Sequence, residues 1–378
     1  MITLNGIDRI EAYDQVFRKK RLGLITSSSG INRSFRSSID LLRESYELVS
    51  LFSPEHGIRG SAAAGDEVAD SIDPYSGLSV HSLYQKNRAG IPDELLAPLD
   101  AVVYDIQDVG CRYYTYISTL ISALRDCARA DRELIVLDRV NPLGGKAEGN
   151  ILSREWISFI GAWPLCMRYG LTAGELACMI NEAEQLHCRL TIVPVSGWQR
   201  AQLFPETGLS WMMPSPNMPT FETALLYPGT CLFEGTTLSE GRGTTVPFQM
   251  IGAPGFDGFL LAQEMNQKEL PGVGFTPAFF TPTFSKHAGI LCEGVLIHVT
   301  DPHLAEPVRT AIELLFLMRS RYPEQTQFLE STDTVMGINR LAGADWYHTP
   351  PCSVADVLAK CREDEMQFAA MAKDYLRY

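Results

Sequence analysis

Apolar residues in the first half of the chain fall into short continuous runs separated by longer amphipathic stretches. "LGLITSS" (22–28), "YELVSLFS" (46–53), "AVVYDIQ" (101–107), "ELIVLDR" (133–139) and "LTIVPVS" (190–196) have the length of strands and little alternation. Such runs suit strands whose sheet is covered on both faces. Between the third and fourth, Ile117, Leu120, Ile121, Leu124, Cys127 and Ala128 recur at the spacing of one helix face. Before the fifth, Thr172 and Glu175 have capping-box spacing, and Leu176, Met179, Ile180 and Ala183 form a stripe behind them. Strands alternating with helices predict a doubly wound parallel α/β sheet.

The texture changes near "PSPNMPTFETALLYPGT" (214–230), and "FEGTTLSEGRGTTVPF" (233–248) is rich in glycine and threonine. A boundary near Pro228 gives two domains, 1–228 and 229–378. Beyond it, "GILCEGVLIHVTD" (289–301) reads as a strand pair or one long strand. A helix runs through Val308, Ala311, Ile312 and Leu315, and a last one starts at Ser353. Few strands and separate helices predict a second, smaller α+β domain.

Length supports this division, because 378 residues exceed what one core usually holds. A net charge of -13 argues against nucleic acid, which needs a basic stripe. Local arginines can still attract an anionic small molecule at contact range. No run approaches a membrane span, and "MITLNGIDRIEAYDQ" has neither the basic nor the apolar part of an export leader. As it stands the chain reads as cytoplasmic, or as periplasmic or secreted if a leader is encoded upstream. Its nine cysteines include no CxxC pair, which favours buried thiols over a disulfide framework.

Polar clusters follow several of the predicted strands. Glu55 and His56 come after the second, with Arg59, Asp66 and Glu67 close behind in "SPEHGIRGSAAAGDE". Asp105, Gln107, Asp108 and Arg112 surround the end of the third, and Asp138, Arg139 and Asn141 follow the fourth. In open α/β sheets ligands bind outside the carboxyl ends of strands, so three such clusters on one edge point to a site. Asp108 or Asp138 could equally cap the next helix.

Glu55, on a loop loosened by Gly57 and Gly60, is the candidate acid. A partly desolvated carboxyl can donate a proton. The plainer alternative is a surface ion pair between Glu55 and Arg59, which would contribute little. Tyr113, Tyr114 and Tyr116 can stack on a sugar or on one another. Glu234, Glu240 and Arg242 form another charged group, with Arg242 between glycines and suited to grip a carboxylate.

No phosphate-binding loop, dinucleotide fingerprint, nucleophile elbow or zinc spacing is present, and no cofactor or metal is expected. His298 and His303 read as structural. Carboxylates, tyrosines and arginines together suit glycoside chemistry.

Six stretches, "LFSPEHGIRG", "YDIQDVGCRYYTYIST", "VLDRVNPLGG", "PSPNMPT", "EGTTLSEGRGTTVPF" and the closing "YLRY", resemble in sequence and order the exo-β-N-acetylmuramidase family typified by NamZ. The resemblance implies a Rossmann-like N-terminal domain, a smaller C-terminal domain and an active site in the cleft between them. The implied reaction is removal of N-acetylmuramic acid from the non-reducing end of peptidoglycan fragments, with Glu55 as catalytic acid. It also implies a sugar-binding role for Asn217 in "PSPNMPT". Val140, Tyr169 and Thr237 depart from the family pattern, which has proline, histidine and asparagine there.

On this reading Asp108 or Glu240 supplies the second catalytic group, or the substrate's own acetamide oxygen does. Arg242 or Arg112 would hold the lactyl carboxylate, and His56 would orient Glu55 or donate to a hydroxyl. Arg59, Asp105, Gln107, Tyr116 and Glu234 complete the candidate sugar-binding set. The alternatives are a non-catalytic muropeptide-binding module and an amidase acting on the lactyl-peptide bond.

Overall fold

The computed structural model describes residues 2–60, 69–85, 88–332, 337–345 and 353–378. The five apolar runs all become strands: β1 (Arg21–Thr26), β2 (Glu47–Ser53), β7 (Ala101–Asp105), β8 (Glu133–Leu137) and β9 (Arg189–Val193). Short strands β3 (Ser71–Ile72) and β4 (Ser79–Ser82) extend one edge, and β5 (Tyr84–Gln85) pairs with β6 (Arg88–Ala89) in a separate hairpin. The larger sheet has the order β3-β4-β2-β1-β7-β8-β9 and is parallel except at β3.

Side chains alternate between two apolar layers, because successive residues of a strand face opposite ways. Leu22, Leu24, Val103, Ile135 and Leu137 meet Ile7, Ile10, Ile39 and Leu42, carried by the helical segment Gly6–Val16 and by α1 (Ser38–Ser45). Ile25, Val102, Tyr104, Leu134 and Val136 face the other layer. After the short α2 (Asp93–Leu96), α3 (Tyr116–Arg129) and α4 (Ala173–Ala183) cover that side. The predicted stripe of α3 is buried except for half-buried Ala128, and Thr172 and Glu175 cap α4 reciprocally. Full burial of a Leu, Ile or Val contributes about 1.5–3 kcal/mol, so matched stripes fix the helix orientation.

The later half contains a second sheet, antiparallel in the order β10-β12-β11, of β10 (Met250–Ala253), β11 (Val273–Phe280) and β12 (Cys292–Val299). The stretch 289–301 thus carries one long strand. Helices α6 (Gly258–Asn266) and α7 (Pro307–Arg321) accompany it. Pro228 lies inside α5 (Phe221–Thr230), which packs on α7. One buried cluster continues from Tyr104 and α3 to Ile312 and Leu315, so the texture change marks no linker.

Beyond α8 (Ile338–Ala342), helix α9 (Val354–Ala372) returns to the first half. Asp364 Oδ2 accepts from the Ile151 amide at 3.0 Å and Glu365 Oε1 from that of Gly149 at 2.8 Å. The described cysteines are free thiols. Among the described residues, no helix is long and apolar enough to cross a membrane.

Candidate active site

Strand β1 has β2 on one side and β7 on the other, so the chain reverses its winding between β1 and β7. Diverging connections leave a crevice at the carboxyl ends of such a strand pair. Here the Gln107 amide donates to Ser29 Oγ at 3.2 Å, and Ser29 Oγ lies 2.7 Å from Ser27 Oγ. A cavity of about 190 Å³ opens beside them, lined among others by Asn5, Ser29, Arg33, Gln107, Arg139 and Met212.

Glu55 sits at the carboxyl end of the neighbouring β2. His56 and Gly57 both take left-handed backbone angles, φ 72° and 79°. Histidine rarely adopts this region, which makes the turn a strained one. Gly60 approaches β1 so closely that a Cβ there would lie 2.5 Å from Ser28 Oγ. The loop is thereby folded onto the sheet edge. Glu55 is 7 % exposed, and the Thr115 hydroxyl donates to its Oε2 at 2.6 Å. His56 meets the edge of Tyr116, with ring centroids 6.4 Å apart. Arg59 donates to Asp73 at 2.8 Å and lies over the Tyr75 ring, a different pairing from the Glu55 contact weighed above. Asp66 and Glu67 lie outside the described residues.

Asp105 does not reach the cavity. It is fully buried behind Arg139, which donates to it through Nε at 2.7 Å and Nη2 at 2.9 Å. Arg139 is, with Arg33, a cavity-lining arginine that the candidate binding set omitted. Its signal was its place immediately beyond β8, on the same edge as Glu55 and Gln107. Gln107 lines the cavity while its Nε2 donates to the Asp108 and Val140 carbonyls.

The tyrosines pack edge to face on one another and on neighbouring aromatics and are buried, so they wall the site without offering a face to a sugar. Tyr116 and Tyr114 are 4.9 Å apart, Tyr114 and Tyr227 6.1 Å, and Tyr227 and Phe248 4.7 Å. The Tyr116 hydroxyl donates to the Pro214 carbonyl, which draws the segment containing half-exposed Asn217 towards this edge.

Asp108 is buried among protein groups. Its Oδ2 accepts from the Tyr169 hydroxyl and, at 2.6 Å, from the Gly110 amide, while buried Oδ1 has no hydrogen-bond partner. Burial pushes this carboxyl up to about 7 against those bonds. Asp138 takes the structural role considered for it: it accepts from the Gly174 amide at 2.8 Å and from the Thr172 hydroxyl at 2.7 Å, at the start of α4.

Arg112 requires a correction. It is 1 % exposed, and its guanidinium donates to the carbonyls of Asn150, Leu165, Leu341 and Ala342 at 2.8–3.0 Å. It ties two distant segments together and has no room for a ligand. Arg242 is likewise engaged: it donates to Glu234 through Nε at 2.9 Å and Nη2 at 2.6 Å, with Glu240 3.5 Å away and the Phe248 ring 4.9 Å beneath. Lys286 adds a contact to Glu240 at 2.8 Å. Val140 and Tyr169 are buried, and Thr237 bonds to the backbone of Gln325 and Gln327. These three departures are absorbed by packing and by internal hydrogen bonds.

Fold and site together define a Rossmann-like α/β protein that presents a shielded glutamate and an arginine-lined cavity along one edge of its sheet. The chain belongs to the exo-β-N-acetylmuramidase NamZ family, whose N-terminal domain matches residues 22–222 and whose C-terminal domain matches residues 225–378. It is 43% identical to the peptidoglycan β-N-acetylmuramidase NamZ of Bacillus subtilis (strain 168) over 380 residues, covering 99% of this chain and 91% of that protein. Two crystal structures of DUF1343 family proteins from Bacteroides fragilis NCTC 9343 share the fold over 100% of this chain and 99% of each of theirs. One has a TM-score of 0.91 at 34% identity, the other 0.79 at 28%. The resemblance drawn from the six stretches holds, and with it the class of glycoside hydrolase.

Proposed function

We propose that this chain releases N-acetylmuramic acid from the non-reducing end of peptidoglycan fragments, with Glu55 as the proton donor. The observation that carries the reading is the placement of Glu55. It is the acid at the carboxyl end of β2, shielded from bulk water, and Thr115 at the start of α3 fixes its orientation. As the C1–O bond of the sugar breaks, the leaving oxygen takes the Glu55 proton.

Of the candidates for the second group, Asp108 is turned onto Tyr169 and Glu240 is held by Lys286 and Arg242. These contacts favour the third candidate, the substrate's acetamide oxygen. That oxygen attacks C1 to form an oxazolinium ring. Water then adds at C1 and gives its proton to the Glu55 carboxylate, an accepted exception to the two-carboxylate scheme. Two displacements at one carbon give net retention.

The test is hydrolysis of a synthetic muramyl-glucosamine disaccharide, with the anomer of the released sugar followed by NMR. Wild type is expected to release β-N-acetylmuramic acid, and Glu55→Gln to be slower by about 10²–10⁴-fold. Equal rates for the two proteins would remove Glu55 from the mechanism. Release of the α-anomer would remove the acetamide step and restore a second carboxylate.

A further inference from the structure

The proposed reaction concerns the bond that breaks. It does not say how the protein tells N-acetylmuramic acid from N-acetylglucosamine, which differs only in lacking the lactyl ether. We propose that the cavity between β1 and β7 is an anion subsite in which Arg139 and Arg33 hold the lactyl carboxylate. The inference rests on the muramidase reading above and assigns to Arg139 and Arg33 the role that Arg112 and Arg242 cannot fill.

Both arginines leave hydrogen-bonding capacity unused. Arg139 spends Nε and Nη2 on Asp105, and Nη2 also donates to the Ile31 carbonyl at 3.0 Å. Its Nη1 has no partner among the described residues and is not sealed in the interior. The one open edge of this 5 % exposed arginine therefore belongs to the cavity it lines. Arg33 donates through Nη1 to the Thr3 carbonyl at 3.2 Å and has no carboxylate partner for its guanidinium among the described residues. The nearby Asp8 turns both oxygens onto the backbone amides of Asn5 and Arg33. Two arginines thus line one space, Arg139 buried and Arg33 exposed at its mouth, and Asp105 balances only the first.

Size and surroundings agree with this occupant. A cavity volume of about 190 Å³ leaves ample room for the small lactyl ether. Phe204, Leu209 and Met212 supply apolar walls for its methyl group. A carboxylate taken out of bulk water needs a charged partner, and guanidinium matches its geometry. The cavity and the Glu55 loop are both tied to the same edge: Ser29 lines the cavity and contacts Ser27, just beyond β1, while Tyr116 at the start of α3 meets both His56 and Tyr114. Charge in this position lets a protein of net charge -13 select an acidic sugar.

The test compares two aryl glycosides, one of N-acetylmuramic acid and one in which the lactyl carboxylate is a carboxamide. Binding of free N-acetylmuramic acid and of its lactamide is measured in parallel by calorimetry. Wild type is expected to favour the acid by about 10- to 100-fold in both measurements, with the kinetic preference in KM more than kcat. Arg33→Gln and Arg139→Gln should each bring the ratio towards one. Because Arg139→Gln leaves Asp105 buried without its partner, Arg139→Gln with Asp105→Asn is made alongside it.

Equal treatment of acid and amide by wild type would overturn the subsite. So would an undiminished preference in Arg33→Gln and in either folded Arg139 variant. A wild type that binds the acid preferentially yet cleaves neither glycoside would leave the subsite standing and refute the muramidase reading instead.

Discussion

At the residue scale, Asp108 shows what a strand-end acid can do besides chemistry. Burial holds its carboxyl at about 7, although Tyr169 and the amides of Gly110 and Val109 favour the ionised form. An unfolded aspartate titrates near 3.9, so between about pH 4 and pH 7 the native state keeps a proton that the unfolded state has released. Stability from this group is full below about pH 4 and falls as pH rises through 7. Glu148, also buried and pushed up to about 7, acts in the same direction. Urea unfolding between pH 4.5 and 7.5 should therefore show stability declining towards neutrality, and Asp108→Asn should remove a few kcal/mol of that decline. Tyr169→Phe should move the decline to higher pH, since it deletes a bond that favours ionisation. An unchanged slope in Asp108→Asn would contradict this account of the buried carboxyl.

At the scale of elements, the start of α3 trades local stability for position. Thr115 occupies the N-cap, where its side chain would ordinarily accept from an amide of the first turn. Its hydroxyl donates to Glu55 instead, and no side-chain cap is made. Thr115→Val should consequently lose no helix cap, and its cost in unfolding free energy, about 1–3 kcal/mol, is that of leaving the shielded Glu55 Oε2 without this donor. Its kcat should drop by about tenfold, and Thr115→Ser should restore it. A stability loss without a loss of rate would make Thr115 a structural partner of Glu55 and nothing more.

The same scale separates what the pattern of residues could tell from what it could not. The five central strands were legible because burial on both faces leaves a continuous apolar run. Strands β3 and β4, with two and four residues, carry too little pattern to be seen. The candidate site was legible as an edge, since Glu55, Gln107 and Arg139 each follow a different parallel strand. Which side chain turns outwards was not legible. Arg112 and Arg139 look alike in sequence, yet the partners that seal one and leave the other an open nitrogen come from distant segments.

At the scale of the whole molecule, the chain end closes on the sheet that carries the site. The Tyr378 hydroxyl donates to Asp138 Oδ2 at 2.7 Å and accepts from the Val195 amide at 3.1 Å, while its ring packs on Trp198 with centroids 5.6 Å apart. Arg377 adds a backbone bond to Glu175 at 2.6 Å. Asp138 holds in turn the amide of Arg139, the arginine at the cavity wall, at 3.1 Å. The closing "YLRY" is thus part of the support beneath β8, although nothing in its composition distinguishes it from a loose tail. Removing the Tyr378 hydroxyl leaves a buried carboxylate oxygen with one bond fewer and the Val195 amide without its partner, a loss of about 1–3 kcal/mol. Tyr378→Phe should lose that much in chemical denaturation, and deletion of residues 377 and 378 should lose more, because the ring and the Glu175 bond go as well. The hydroxyl also favours the ionised form of Asp138, whose carboxyl burial holds at about 6. The deficit of Tyr378→Phe should therefore widen as pH rises through 6 and narrow below it. A deficit independent of pH would place the effect of Tyr378 in packing, apart from Asp138.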